Sequence, residues 1–195
     1  MSWTLQAQDD FTDAALTAID AHTPTPSGGF TWANLNGFPR IDINGTAFNA
    51  GGAVEGIAKC GKTLGNKQAC EITLTSTSIG VGVCGDGSKD GYVYFARDGL
   101  SSYLQRYDAG SPTNLATGGA SASAGDVIRL EFDGVNAIQA YINGVATLSA
   151  TDGTYVGGSA WLSCSPGSKA DNFNAYDQSA APAASHLLGL LGVGG

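Results

Sequence analysis

Carboxylates and histidines come first, because in a chain with only 13% charged residues they limit the available chemistry. Glutamate occurs at Glu55, Glu71 and Glu131 alone. A retaining glycosidase needs two carboxyls about 5 Å apart, one as nucleophile and one as acid. The strand spacing E-x-D-x-x-E would deliver such a pair, and none of the three glutamates falls in it. Ser/His/Asp catalysis needs a positioned histidine. His22 lies in the loop IDAHTPTPSGG and His186 lies close to the C-terminus, so both read as solvated loop residues. No G-x-S-x-G occurs, and no glycine-rich loop leads into a helix to cradle a phosphate. The residues therefore predict no catalytic set.

Binding chemistry has more support. CGDGSKDGY brings Asp86 and Asp90 into one loop, and QDDFTD supplies Asp9, Asp10 and Asp13. Calcium takes six to eight oxygens, so Asp86 and Asp90 with loop carbonyls would make a weak Ca2+ site at best. The alternative is aspartates that bond their own turns. No other cofactor is expected. Aromatics fall on alternating segments: Tyr92, Tyr94, Tyr103, Tyr107, Tyr141 and Trp161. Tyr92 and Tyr94 share a face. Tyr141 points away from Ile138, Ala140 and Ile142, and Trp161 points away from Ala160 and Leu162. Tyr92, Tyr94, Tyr141 and Trp161 are the candidates for a ligand-binding face, since sugar recognition uses aromatic platforms beside polar groups. They read equally as cross-strand pairs or a protein-contact patch.

The elements that must position these residues are strands. EITLTS, IGVGVCG, DVIRLEFDG and AIQAYINGV alternate with period two. Asn44-Gly45, Asp98-Gly99, Asp133-Gly134 and Asn143-Gly144 lie between such runs and suit tight hairpins. From about Arg40 to Tyr176 the pattern is strand, turn, strand, which means antiparallel sheets stacked as a sandwich or closed as a barrel. One helical turn is expected in DAALTAID, behind a Thr12/Asp13 cap.

Net charge is −8, and no two of the nine Lys and Arg are adjacent, which argues against a nucleic-acid groove and an anionic membrane surface. No apolar run approaches the roughly 20 residues of a spanning helix. The N-terminus MSWTLQAQDDFTD lacks the features of a secretory signal, so synthesis and folding in a cytoplasm are expected. Cys60, Cys70, Cys84 and Cys164 have no zinc-ligand spacing and read as buried thiols, although Cys60 and Cys70 flank a connection across which they could face each other.

Read in order, QDDFTDAALTAIDAHTPTPSGGFTW, LGNKQACEITLTSTSIGVGVCG, GYVYFARDG, AGDVIRLEFDGVNAIQAYINGVATLSATD and DNFNAYD resemble the concanavalin A-like, laminin-G-like jelly-roll domain of bacteriophage structural proteins and bacterial surface proteins. The resemblance spans about Gln6 to Asp177. It implies an all-β, antiparallel two-sheet jelly-roll sandwich of the lectin and glucanase type, over residues 1–178. It also implies a first strand around Asp10-Phe11 beside a last strand around Asn172-Phe173, with the chain termini covering the sheet edges.

Residues 179–195 form an Ala/Pro linker and an apolar tail carrying Leu187, Leu188, Leu190, Leu191 and Val193. The tail is too short to span a bilayer. It is expected either to dock on a partner subunit or to fray. The leading expectation is thus a non-enzymatic virion protein: a head decoration, fibre or tail-associated module, held as a homo-oligomer or on a lattice among other virion proteins. The alternatives are a carbohydrate-binding adhesin module for surface glycans and an atypical polysaccharide-cleaving enzyme.

Overall fold

Alternating side chains with frequent Asx-Gly turns build two stacked antiparallel sheets. The computed structural model describes residues 2–13, 16–26, 29–35, 39–49, 55–76, 78–97 and 99–178, apart from the side chains of 48 and 49. Every regular element among them is a strand. The tail residues Leu187, Leu188, Leu190, Leu191 and Val193 lie outside the described residues.

The nine-stranded sheet runs in the order β14 (Val145–Thr151), β13 (Ala137–Ile142), β12 (Val127–Phe132), β7 (Gln68–Ser76), β16 (Lys169–Asp177), β5 (Ala47–Asn49), β4 (Ile41–Ile43) and β2 (Thr17–Ala18), with β1 (Thr4–Asp9) also paired to β16. The seven-stranded sheet runs β11 (Ser111–Gly119), β10 (Leu100–Asp108), β9 (Gly91–Arg97), β8 (Ser78–Gly85), β15 (Gly158–Cys164), β6 (Gly56–Leu64) and β3 (Trp32–Asn34).

Between the sheets lies one core. Ile128, Leu130 and Phe132 of β12 sit opposite Ile142, Ala140 and Ile138 of β13, and this layer packs with Ile79, Val81 and Val83 of β8. Each fully buried Ile, Leu, Val or Phe among them contributes about 1.5–3 kcal/mol. The β13–β14 turn works as its sequence predicts: Asn143 and Gly144 hold φ of 50° and 76°, the pair of positive angles a two-residue hairpin requires. Four cysteines are buried and no disulfide joins them.

Several expectations need correction. Asp9 pairs with Phe173, so the first and last strands do meet, but β16 carries β7 on one side and β1 and β5 on the other. The C-terminal strand is therefore interior, and the outermost strands of the two sheet paths are β14, β2, β11 and β3. In the segment expected to carry a helical turn, residues 14 and 15 lie outside the described residues, and Thr17 and Ala18 are extended, paired with Ile43 and Asp42. His22 is not solvated: it is 5% exposed. Its Nδ1 lies 2.8 Å from Asp13, and its Nε2 lies 2.9 Å from both oxygens of Asp9. Trp32 Nε1 donates to Asp9 Oδ2 at 2.6 Å, which ties the end of β1, and through it His22, to β3.

Candidate functional site

The four aromatics expected on one ligand face occupy three different places. Tyr92 and Tyr94 do share a face, but that face is the core, and both are fully buried. Tyr92 stays hydrogen-bonded there, its hydroxyl donating at 2.9 Å to the Asp152 carboxylate. These two residues are thereby excluded as a ligand platform. Alternation in GYVYFAR does not say which face is buried; the β8–β9 register decides it by setting Ala96, Tyr94 and Tyr92 opposite Ile79, Val81 and Val83.

Trp161 does point away from the main core, yet it is only 2% exposed and offers no open platform. It belongs to a second, smaller apolar layer on the outer face of the seven-stranded sheet, with Leu35, Ile57, Val93, Phe95 and Tyr107. Its indole lies across Gly82, where an added Cβ would sit 2.0 Å from Trp161 Nε1. The glycines that alternate through IGVGVCG thus leave room for this layer, and they are the sequence signal that could have revealed it.

Tyr141 lies on the opposite side of the molecule, half-buried on the outer face of the nine-stranded sheet. Its hydroxyl donates to Glu131 Oε2 at 3.2 Å. Arg129 bridges Glu131 Oε1 at 2.7 Å and Glu71 Oε2 at 2.9 Å. The Tyr176 hydroxyl donates to the remaining oxygen of Glu71 at 2.5 Å. All four oxygens of Glu71 and Glu131 are therefore held by named donors in a structural network. Asp86 Oδ1 accepts from the backbone N–H of Ser88 at 2.7 Å and serves its own turn, whereas Asp90 Oδ1 accepts from the N–H of Ala109 and ties the β8–β9 loop to the β10–β11 turn. Among the described residues, no three His, Cys, Asp or Glu converge as metal ligands.

Open space adjoins the second layer at β9, β10 and β11. Phe95 and Tyr103 stack with ring centroids 5.0 Å apart, and the Arg97 guanidinium lies 5.8 Å from the centre of the Tyr103 ring. Beside them is a hollow of about 320 Å3 lined by Arg97, Ser101, Tyr103, Gln105, Asn114 and Thr117, among others. Gln105 donates to Asn114 Oδ1 at 2.8 Å along its wall. The chain shapes this hollow through irregular pairing. Register shifts fall between Leu100 and Tyr103 against β9, and between Ser102 and Tyr103 against β11. Such bulges re-aim side chains that an even ladder would alternate. Arg97 and Gln105 follow the alternation of β9 and β10, Phe95 pairs with Tyr103, and a further shift between Leu104 and Gln105 sets Asn114 opposite Gln105; the pairing of the three strands, which local pattern does not give, makes them neighbours of Tyr103.

A buried charge pair completes this face. Lys89 Nζ lies 2.7 Å from Glu55 Oε2 and 3.9 Å from the centre of the Tyr107 ring. Ser163 Oγ donates to the other Glu55 oxygen. Burial pushes the Lys89 ammonium below its ordinary value, with the Glu55 charge acting against that shift. Burial likewise raises the Tyr107 hydroxyl, helped by Glu55. The pair anchors the β8–β9 loop over the aromatic layer and keeps Tyr107 against Trp161, rings 5.8 Å apart.

Two stacked antiparallel sheets around one core make an all-β jelly-roll sandwich of the concanavalin A-like fold, as the structural comparisons bear out. No family model and no curated protein matches the chain. Solved structures do match it. It is similar to β-agarase A in complex with oligoagarose, at 12% identity and a TM-score of 0.62, covering 92% of this chain and 94% of that one. It is similar to the carbohydrate-binding module CBM66 from Bacillus subtilis, at 12% identity and a TM-score of 0.57, covering 72% and 91%. The Emp47p carbohydrate recognition domain gives 11% identity and a TM-score of 0.56, covering 91% and 97%. At such identities the likeness is one of fold.

Proposed function

We propose that this chain is a non-enzymatic carbohydrate-recognition module that seats a sugar against Tyr103 in the hollow of the seven-stranded sheet. The observation that carries the reading is the stacked Tyr103–Phe95 pair beside a cavity walled by amide and hydroxyl side chains. A pyranose has an apolar face for an aromatic ring and hydroxyls for convergent polar groups, and this combination fits both. The glutamates support binding over hydrolysis. Glu55 is engaged by Lys89 and Ser163, and Glu71 and Glu131 are engaged by Arg129, Tyr176 and Tyr141, so each works as a structural acceptor. The similar folds include both binding and cleaving proteins, and the choice between them here rests on these contacts.

A glycan array with wild type and Tyr103→Ala tests the reading. Wild type binds a defined set of saccharides, and Tyr103→Ala weakens that binding about tenfold, as loss of a stacked ring requires. Binding unaffected by the substitution, or an array with no signal, would refute it. Release of reducing ends from a bound polysaccharide would refute the non-enzymatic part.

A place on a bacteriophage particle, among other virion proteins and with the apolar tail as attachment, is the second reading. It is supported by the resemblance of residues 6–177 to jelly-roll modules of phage structural proteins. A mass spectrum of purified particles lacking this chain would remove it.

A further inference from the structure

The hollow beside Tyr103 has an electrostatic character opposite to that of the protein as a whole. The chain carries −8 overall, yet Arg97 is the one charged residue lining the hollow among those described. The other three arginines are all committed: Arg40 to Asp42, Arg106 to Asp108 and Asp152, Arg129 to Glu71 and Glu131. No carboxylate among the described residues pairs with Arg97; Asp98, its neighbour in sequence, lies outside them. Glu55, whose charge reaches Tyr103, is matched by Lys89 at 2.7 Å. At physiological ionic strength, charges beyond about 8 Å are largely screened, so among the described residues Arg97 is the charge that sets the field in the hollow.

We infer that the hollow selects a negatively charged sugar, with Arg97 as the residue that decides specificity. The inference rests on the carbohydrate reading above and names its ligand class: a pyranose bearing a carboxylate or a sulfate. A guanidinium presents a planar fork of donors that matches either anion with two parallel hydrogen bonds. The Tyr103 ring, 5.8 Å from the guanidinium carbon, would take the apolar face of the same residue. Gln105, Asn114, Ser101 and Thr117 are neutral partners for the ring hydroxyls. A neutral sugar would leave the guanidinium in the hollow without its anion, and so would bind less tightly.

Calorimetric titration of the full chain with three oligosaccharides of one backbone tests this: the neutral parent, its uronate form and its sulfated form. Wild type is expected to bind at least one of the anionic forms at least about tenfold tighter than the neutral parent, in proportion to one charge-assisted pair. The tighter of the two identifies the anion. In Arg97→Gln the ratio of anionic to neutral affinity falls to about one, and in Arg97→Lys it lies between. Thermal melting of each variant confirms folding. Equal affinity for neutral and anionic forms in wild type, or a preference that survives in Arg97→Gln, overturns the charge inference and leaves the carbohydrate reading standing. Failure of all three ligands to bind overturns both.

Discussion

Replacing His22 by glutamine tests whether a buried ion network holds the N-terminal loop to the sandwich. Asp9 has no solvent exposure, and the His22 side chain has none. Both imidazole nitrogens face carboxylates, at 2.9 Å for Asp9 and 2.8 Å for Asp13, so the doubly protonated ring donates to each. Burial alone would lower the histidine's pKa, but the hydrogen bonds and charges of Asp9 and Asp13 together raise it above 6.5. Glutamine removes the positive charge and leaves Asp9 with Trp32 Nε1 at 2.6 Å, the N–H of Phe11 at 3.0 Å and the N–H of Thr25 at 3.4 Å. Breaking a buried pair costs about 3–5 kcal/mol, and the three surviving donors place this case near 3. For a chain of this size that lowers Tm by roughly 6–12 °C. Because the folded-state pKa is raised, the charged histidine's contribution is complete below about 6.5 and is lost as pH rises through the folded value. Wild-type stability then falls with a slope of at most about 1.4 kcal/mol per pH unit. The gap between wild type and His22→Gln should therefore be widest near pH 6 and narrow by pH 9, measured by thermal melting across that range. A gap that is constant with pH, or a Tm change below 2 °C at pH 6, would refute the network's role.

Gly82→Ala should destabilise the fold by about 1–3 kcal/mol through overpacking, since its methyl would sit 2.0 Å from the Trp161 indole; denaturant unfolding and a shift in tryptophan emission check this together. Burial pushes the Cys60 and Cys84 thiols up to about 12 and raises Cys70 and Cys164 as well. A thiol reagent at pH 8 should therefore label none of the four in the native protein and all four in denaturant, counted by intact mass, and rapid native labelling would contradict the packing. The Tyr103→Ala and Arg97→Gln experiments stand beside these as the tests of function.

Amino-acid order alone determined the layers of this protein. Ile128, Leu130 and Phe132 alternate with Arg129 and Glu131, and a period of two leaves a strand only two faces to assign. Asn143-Gly144 marked a hairpin because its two positive φ angles are cheap for those residue types. The jelly-roll topology was legible through the resemblance of the ordered motifs, and the comparison with solved structures agrees with it. What alternation could not say was which face of a strand looks inward once a second apolar layer exists. Tyr92 and Tyr94 went to the core, and Trp161 went under Tyr107, because sheet pairing across β8, β9 and β15 decided the burial. His22 reads in the sequence as an ordinary loop histidine; the fold brings Asp9, Asp13 and Trp32 around it from 9 to 13 residues away. The hollow itself belongs wholly to tertiary structure. Arg97, Tyr103 and Asn114 lie on three strands, and only the pairing of β9, β10 and β11, with the register shift that sets Asn114 opposite Gln105, brings their side chains to one opening.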